Sequence, residues 1–232
     1  MTRAGDGMKL GPWKLALERH VVPHLPGEWS VARNGFLVRE PIEWLLCAVA
    51  PWTGRSFGAT ASVQLLAVPR EYGILDYGIR LGDRRPELIG WQPPRTMEDI
   101  EPLGERLRDL VLGEALPLFE RGGTLDGHLS RLHERVSMLD GRMGGGGWQD
   151  INVDEELFCV HLLRGDRIAA LAAADWAERA AKAESRERRI AWVDTVRDRV
   201  RQTAAVAARD PEQAVSLLRE RAAFTRQVLG VG

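Results

Sequence analysis

Apolar residues fall two apart along the first third of the chain and three to four apart beyond about residue 95, which predicts a sheet followed by helices. Trp13, Leu17 and Val21 recur four apart and mark one face of a short opening helix, with Pro12 where a first-turn proline is tolerated. Pro23, Pro26 and Gly27 end it, and the period then changes to alternation. Asn34-Gly35 lies between residues 29–33 and 36–39; both residues tolerate positive φ, so a two-residue hairpin turn is expected there. Ile42 to Ala50 is apolar on both faces and reads as a central strand, followed by a connection at Pro51-Trp52-Thr53-Gly54. Phe57, Ala59, Ala61, Val63, Leu65 and Ala67 alternate with Gly58, Thr60, Ser62 and Gln64, which predicts a strand with one apolar and one polar face. Leu75, Tyr77, Ile79 and Leu81 repeat the device. Short Pro/Gly connections favour antiparallel neighbours, since a parallel return needs a crossover of about a dozen residues.

Residues 84–95 are rich in proline and charge and read as a linker. Beyond it, Asp99 can cap a helix with Ile100, Leu103, Leu107, Leu110 and Val111 as its buried stripe. Pro117 should bend or stop that helix. Thr124 can cap the next, in which Leu125, Leu129, Leu132, Val136 and Leu139 step by four and three. Gly144 to Gly147 form a flexible point and a candidate boundary. Helices resume near Asp154: one stopping at Gly165, an alanine-rich one capped by Asp166, another carrying Ile190, Val193, Val196, Val200 and Ala204, and a last one. Its start is marked three ways in Asp210-Pro211-Glu212-Gln213, and Leu217, Leu218, Phe224 and Val228 are its apolar positions.

The resulting expectation is an α+β chain. An N-terminal antiparallel β-meander with a helix (1–83) is followed by a linker and helices packed on the sheet (84–140) and an all-helical C-terminal region (141–232), which can form one continuous domain. The 232 residues suffice to bury a core without staples. Composition changes this picture little: 44% hydrophobic and 28% charged residues exclude wholesale disorder. A net charge of -1 supplies no global attraction to nucleic acid or anionic lipid. Cys47 and Cys159 are too few for a disulfide framework, and with no signal-like or membrane-length apolar run they point to a cytoplasmic protein.

Local signals for chemistry are missing. Pro23 interrupts the helix between His20 and His24, which therefore do not form a helical metal pair. His128 and His133 diverge around their helix, and His161 reads as a histidine at the core edge. Cys47 sits in an apolar strand where a thiolate is disfavoured. The glycine run lacks the Lys-Ser or Lys-Thr of a phosphate loop. No catalytic residue, metal ligand or cofactor is assigned. The arginines of 184–201 alternate with carboxylates and lack interleaved aromatics, so nucleic-acid binding through these helices is the weakest functional reading.

The eight tryptophans against two tyrosines are the least ordinary feature. Trp52, Trp91 and Trp148 fall in predicted loops beside Pro or Gly, off the periodic faces, and are the candidate partner-binding residues. They favour a non-catalytic binding protein, such as an immunity, antitoxin-like or accessory factor docking a protein partner. The rival reading is an enzyme with a site in the cleft between sheet and helices. Arg55, Tyr72, Asp76 and Arg80, on the polar face and loops of the meander, are then the acid-base or anion-binding candidates.

The order of elements, with Tyr77-Gly78-Ile79-Arg80-Leu81-Gly82 closing the meander and Ala115-Leu116-Pro117-Leu118-Phe119-Glu120 ending a helix, resembles a family of small bacterial proteins known only as a domain of unknown function. The resemblance spans Trp13 to Leu139. It implies the α+β architecture and a bacterial source, and it carries over no catalytic residue.

Overall fold

The computed structural model describes residues 10–53, 57–69, 78–83, 96–142, 150–187 and 191–231. An N-terminal helix precedes a five-stranded antiparallel sheet, and the C-terminal half is helical, an α+β fold. The chain divides into two compact units. One comprises Met1–Gln64, Arg70–Gly123 and Arg226–Gly232, the other Leu65–Pro69 and Thr124–Thr225.

In the first unit, α1 (Leu10–Ala16) runs into a wide-turn π segment (Leu17–Val21) and a 3-10 turn (Val22–His24). Trp13, Leu17 and Val21 are fully buried, as their spacing predicts. The sheet order is β1 (Glu28–Val31), β2 (Leu37–Glu40), β3 (Leu45–Thr53), β4 (Phe57–Leu65) and β5 (Ile79–Arg80). The first hairpin is wider than a two-residue turn. Val31 pairs with Leu37, the Ala32 N–H donates to the Phe36 carbonyl at 2.8 Å and the Gly35 N–H to that of Ala32 at 2.9 Å. Arg33-Asn34-Gly35 is therefore a three-residue loop in which only Gly35 takes positive φ (+85°). Asn34 keeps ordinary φ and uses its amide otherwise: Oδ1 accepts from the Phe36 N–H at 3.0 Å and Nδ2 donates to the Leu229 carbonyl at 2.7 Å.

β3 starts later than the apolar run suggests and continues through Pro51, Trp52 and Thr53. The last pair to β2 is Val49 with Leu37, so Pro51 lies past that ladder. β4 departs from the expected one-sided pattern, because Ser62 and Gln64 are buried along with Ala61, Val63 and Leu65. Trp29 packs its ring on Phe119 with centroids 5.9 Å apart.

The helix α2 (Ile100–Leu110) buries Ile100, Leu103, Leu107 and Leu110 as predicted. Asp99 does not cap it; its Oδ2 accepts from the N–H and hydroxyl of Thr96 instead. Pro117 does not stop the helical path: a second π segment (Val111–Ala115) leads into α3 (Leu116–Gly122).

The second unit contains α4 (Leu125–Arg142), α5 (Ile151–Leu163), α6 (Arg167–Glu187), α7 (Ala191–Ala207) and most of α8 (Pro211–Leu229). Thr124, Asp166 and Asp210 cap α4, α6 and α8 through side-chain oxygens at 2.9–3.1 Å, and Asp150 caps α5. The buried stripe Ala170, Ala173, Ala174, Ala177, Ala180 and Ala181 on α6 lets that helix lie close against its neighbours. On α8 the buried positions are Ala214, Leu218, Ala222, Thr225 and Leu229, while Phe224 and Val228 face solvent. The glycine run Gly144 to Gly147 lies outside the described residues.

Candidate functional site

Of the seven residues singled out by the sequence, Trp52 and Arg80 are described, and the structure brings them together. Arg55, Tyr72, Asp76, Trp91 and Trp148 lie outside the described residues. Trp52 is not in a loop. It occupies the end of β3 and remains 37% exposed. Arg80 sits on the end strand β5, paired with Thr60 of β4, and its guanidinium lies 3.9 Å from the centroid of the Trp52 ring, well within cation–π range. A Cβ at position 58 would lie 4.0 Å from Arg80 Nε, in ordinary van der Waals contact. Two contacts hold the strand end in place. Asp83 reaches Arg80 at 3.8 Å, and the Gly82 N–H donates to Glu114 Oε2 at 3.0 Å. Ile79, on the opposite face from Arg80, is 38% exposed. The tip of the sheet thus presents an indole, a guanidinium and an aliphatic side chain to solvent.

Thr60 shares a face of the sheet with its pair partner Arg80, and alternation along β4 places Ser62 and Gln64 on that same face. Ser62 Oγ and both amide atoms of Gln64 are buried without a hydrogen-bond partner. Bare burial of such groups is costly, which marks this face as polar well beyond its exposed tip.

A second polar centre, in the helical unit, has no counterpart among the sequence-derived candidates. Asp154, Glu155 and Glu156 follow one another on α5 and all three are buried. Consecutive helical residues step by about 100°, so three acids spread over more than half the circumference cannot share one wet face on a helix that also buries Val153, Phe158, Cys159 and Val160. Their partners come from far along the chain. Glu155 takes a two-pronged bond from Arg199 of α7, at 2.5 Å from Nε and 2.6 Å from Nη2. Glu156 is bonded to His128 Nε2 of α4 at 2.9 Å. Asp154 is pushed up to about 7, chiefly by burial and then by Asp150, with Arg179 pulling the other way. The one sequence signal for this centre is the acidic triplet itself, set inside an otherwise apolar helix.

Burial, with Glu155 adding to it, pushes the Cys159 thiol far above its ordinary value, so it stays protonated and is not a nucleophile. His161 is half-buried and lowered from its usual value, first by burial; its ring meets that of His133 at 6.2 Å. Cys47 is buried in β3, as its place in an apolar run predicts. On α7, Arg197 pairs with Asp194 and Asp198, and Arg201 with Asp198. Exposed aromatics that the sequence pattern did not single out stand on the helices: Trp176 on α6, 49% exposed with Arg179 stacked at 4.2 Å, and Trp192 on α7, 47% exposed.

Among the described residues, no group of three or more His, Cys, Asp or Glu side chains converges to hold a metal ion, and no helix is long and apolar enough to cross a membrane. Compared with models of protein families, with curated proteins and with solved structures, the chain matches none.

Proposed function

We propose that the chain is a non-catalytic binding protein of the bacterial cytosol that docks a protein partner, in the manner of an immunity, antitoxin-like or accessory factor. The observation that carries this reading is the exposed Trp52 ring with the Arg80 guanidinium stacked on it at 3.9 Å. Tryptophan and arginine are the side chains most enriched where interfaces concentrate their energy, because each combines a large desolvated area with directed polar contact. The partner expected here presents an apolar group to the indole, flanked by a carboxylate for the guanidinium. The buried free thiols of Cys47 and Cys159 suit a reducing compartment.

Co-purification of the tagged chain from its host, followed by titration of the captured protein, tests the reading. Trp52→Ala should weaken binding by about thirtyfold, equivalent to about 2 kcal/mol, while Trp192→Ala leaves it within about twofold. Recovery of the bare chain alone, or equal binding by Trp52→Ala and the unaltered protein, overturns it.

A further inference from the structure

Two histidines from different helices meet at the rim of the helical unit. His133 of α4 is exposed, His161 of α5 is half-buried, and their ring centres stand 6.2 Å apart. His161 lies in the last turn of α5. Just beyond it Gly165 takes positive φ (+77°), which turns the chain back, and the Asp166 N–H donates to the His161 carbonyl at 2.9 Å. This turn sets the Asp166 carboxylate beside the His161 ring. Its Oδ2 is 4.0 Å from Nδ1, while its Oδ1 accepts from the Ala169 N–H at 3.0 Å as the cap of α6. Nδ1 is buried without a hydrogen-bond partner, so Nε2, on the other side of the ring, is the nitrogen left to face outward.

A histidine with one ring nitrogen turned to a carboxylate and the other open is arranged as a metal ligand with its outer-shell partner. A ligating imidazole nitrogen lies about 2.1 Å from such an ion, so two rings sharing one have centres about 5–6.5 Å apart. The His133–His161 spacing of 6.2 Å fits. The electrostatics agree. Burial lowers His161 from its ordinary value; Asp166 opposes this, and His133 and Arg164 add to it, so the ring is neutral at pH 7, as a ligand must be. Arg164 is itself bonded to Asp126 at 2.6 Å, which offsets its charge. The carbonyl end of α5 favours a cation.

We propose that His133 and His161 together bind one divalent transition-metal ion of the class that prefers imidazole (Zn²⁺, Ni²⁺ or Cu²⁺), with Asp166 orienting His161. Among the described residues no third His, Cys, Asp or Glu joins them. Water fills the remaining positions, which makes the ion exchangeable with solvent rather than a permanent part of the fold. The bound ion clasps α4 to α5. The site lies in the helical unit and does not depend on Trp52 or Arg80, so the docking reading and this one stand or fall separately.

The probes are zinc and nickel chloride titrated calorimetrically into the full chain carrying no histidine tag, with magnesium chloride as control. Zinc and nickel should each bind saturably at one ion per chain, and magnesium, which prefers oxygen ligands, should not. His133→Asn, at an exposed position, should weaken zinc binding about tenfold or more, and Asp166→Asn, which keeps the α6 cap, about tenfold. His24→Asn, exposed in the other unit, should leave it unchanged. Nitrogen-15 spectra of the histidine rings provide a readout that needs no variant: zinc should shift the ring nitrogens of His133 and His161 and not those of His20 or His24. No saturable binding of zinc or nickel, zinc binding that survives His133→Asn intact, or a zinc shift at only one of the two histidines overturns the proposal.

Discussion

At Asp154 a carboxyl that titrates near 3.8 in water stays protonated to about pH 7, because burial strips its hydration and Asp150, one turn earlier, repels a second negative charge. Arg179 on α6 opposes both and loses. Oδ2 of Asp154 is buried with no hydrogen-bond partner among the described residues, so Arg179 alone is left to favour the anion and it does not prevail. The folded state therefore holds a proton that the unfolded chain releases. The stability this group contributes is complete below about pH 4 and is lost as the pH rises through 7. Asp154→Asn removes the titration. Urea unfolding should show the variant gaining on the parent as pH rises from 4 to 8, by about 4 kcal/mol at the upper end. Parallel pH profiles for the two proteins would contradict this.

Among the elements, the two π segments have one cause. Each stands immediately before a Xaa-Pro pair, Val22-Pro23 and Leu116-Pro117, and in each the residue ahead of the proline donates its N–H five residues back, to Leu17 and Val111. A proline has no N–H for the carbonyl four residues behind it, and widening the turn accommodates the ring without ending the helix. The first π segment packs on α2 at Gly104, where a Cβ would come within 2.4 Å of His20 Cβ. Gly104→Ala should cost about 1–3 kcal/mol in chemical denaturation. Gly113→Ala, in the second π segment with open space around it, should be neutral or slightly stabilising. Equal losses at both positions would show that close packing is not the reason for Gly104.

Helix positions and buried stripes such as Leu103, Leu107 and Leu110 were legible in the sequence because they follow from local periodicity, and the caps Thr124, Asp166 and Asp210 because they are local chemistry. What was not legible depends on distant partners. The bond from Asn34 Nδ2 to the Leu229 carbonyl joins residues 195 apart in the chain. The burial of Glu155 depends on Arg199, 44 residues on. Trp52 read as a loop residue because its proline neighbour signals a turn, whereas β3 had simply outrun its pairing with β2. Ser62 and Gln64 obeyed the alternation, but alternation does not reveal whether the second face is covered.

For the whole molecule, the two compact units hold different kinds of polar feature. The sheet unit presents the Trp52–Arg80 stack at its tip, and the helical unit buries the Glu155 carboxylate against Arg199. The docking reading assigns partner recognition to the first. Amide hydrogen exchange with and without the captured partner tests that assignment most directly. The account predicts slowed exchange at the ends of β3 and β5, around Trp52 and Arg80, with α6 and α7 unchanged. Protection confined to the helices bearing Trp176 and Trp192, with the strand ends exchanging as in the free chain, would contradict it.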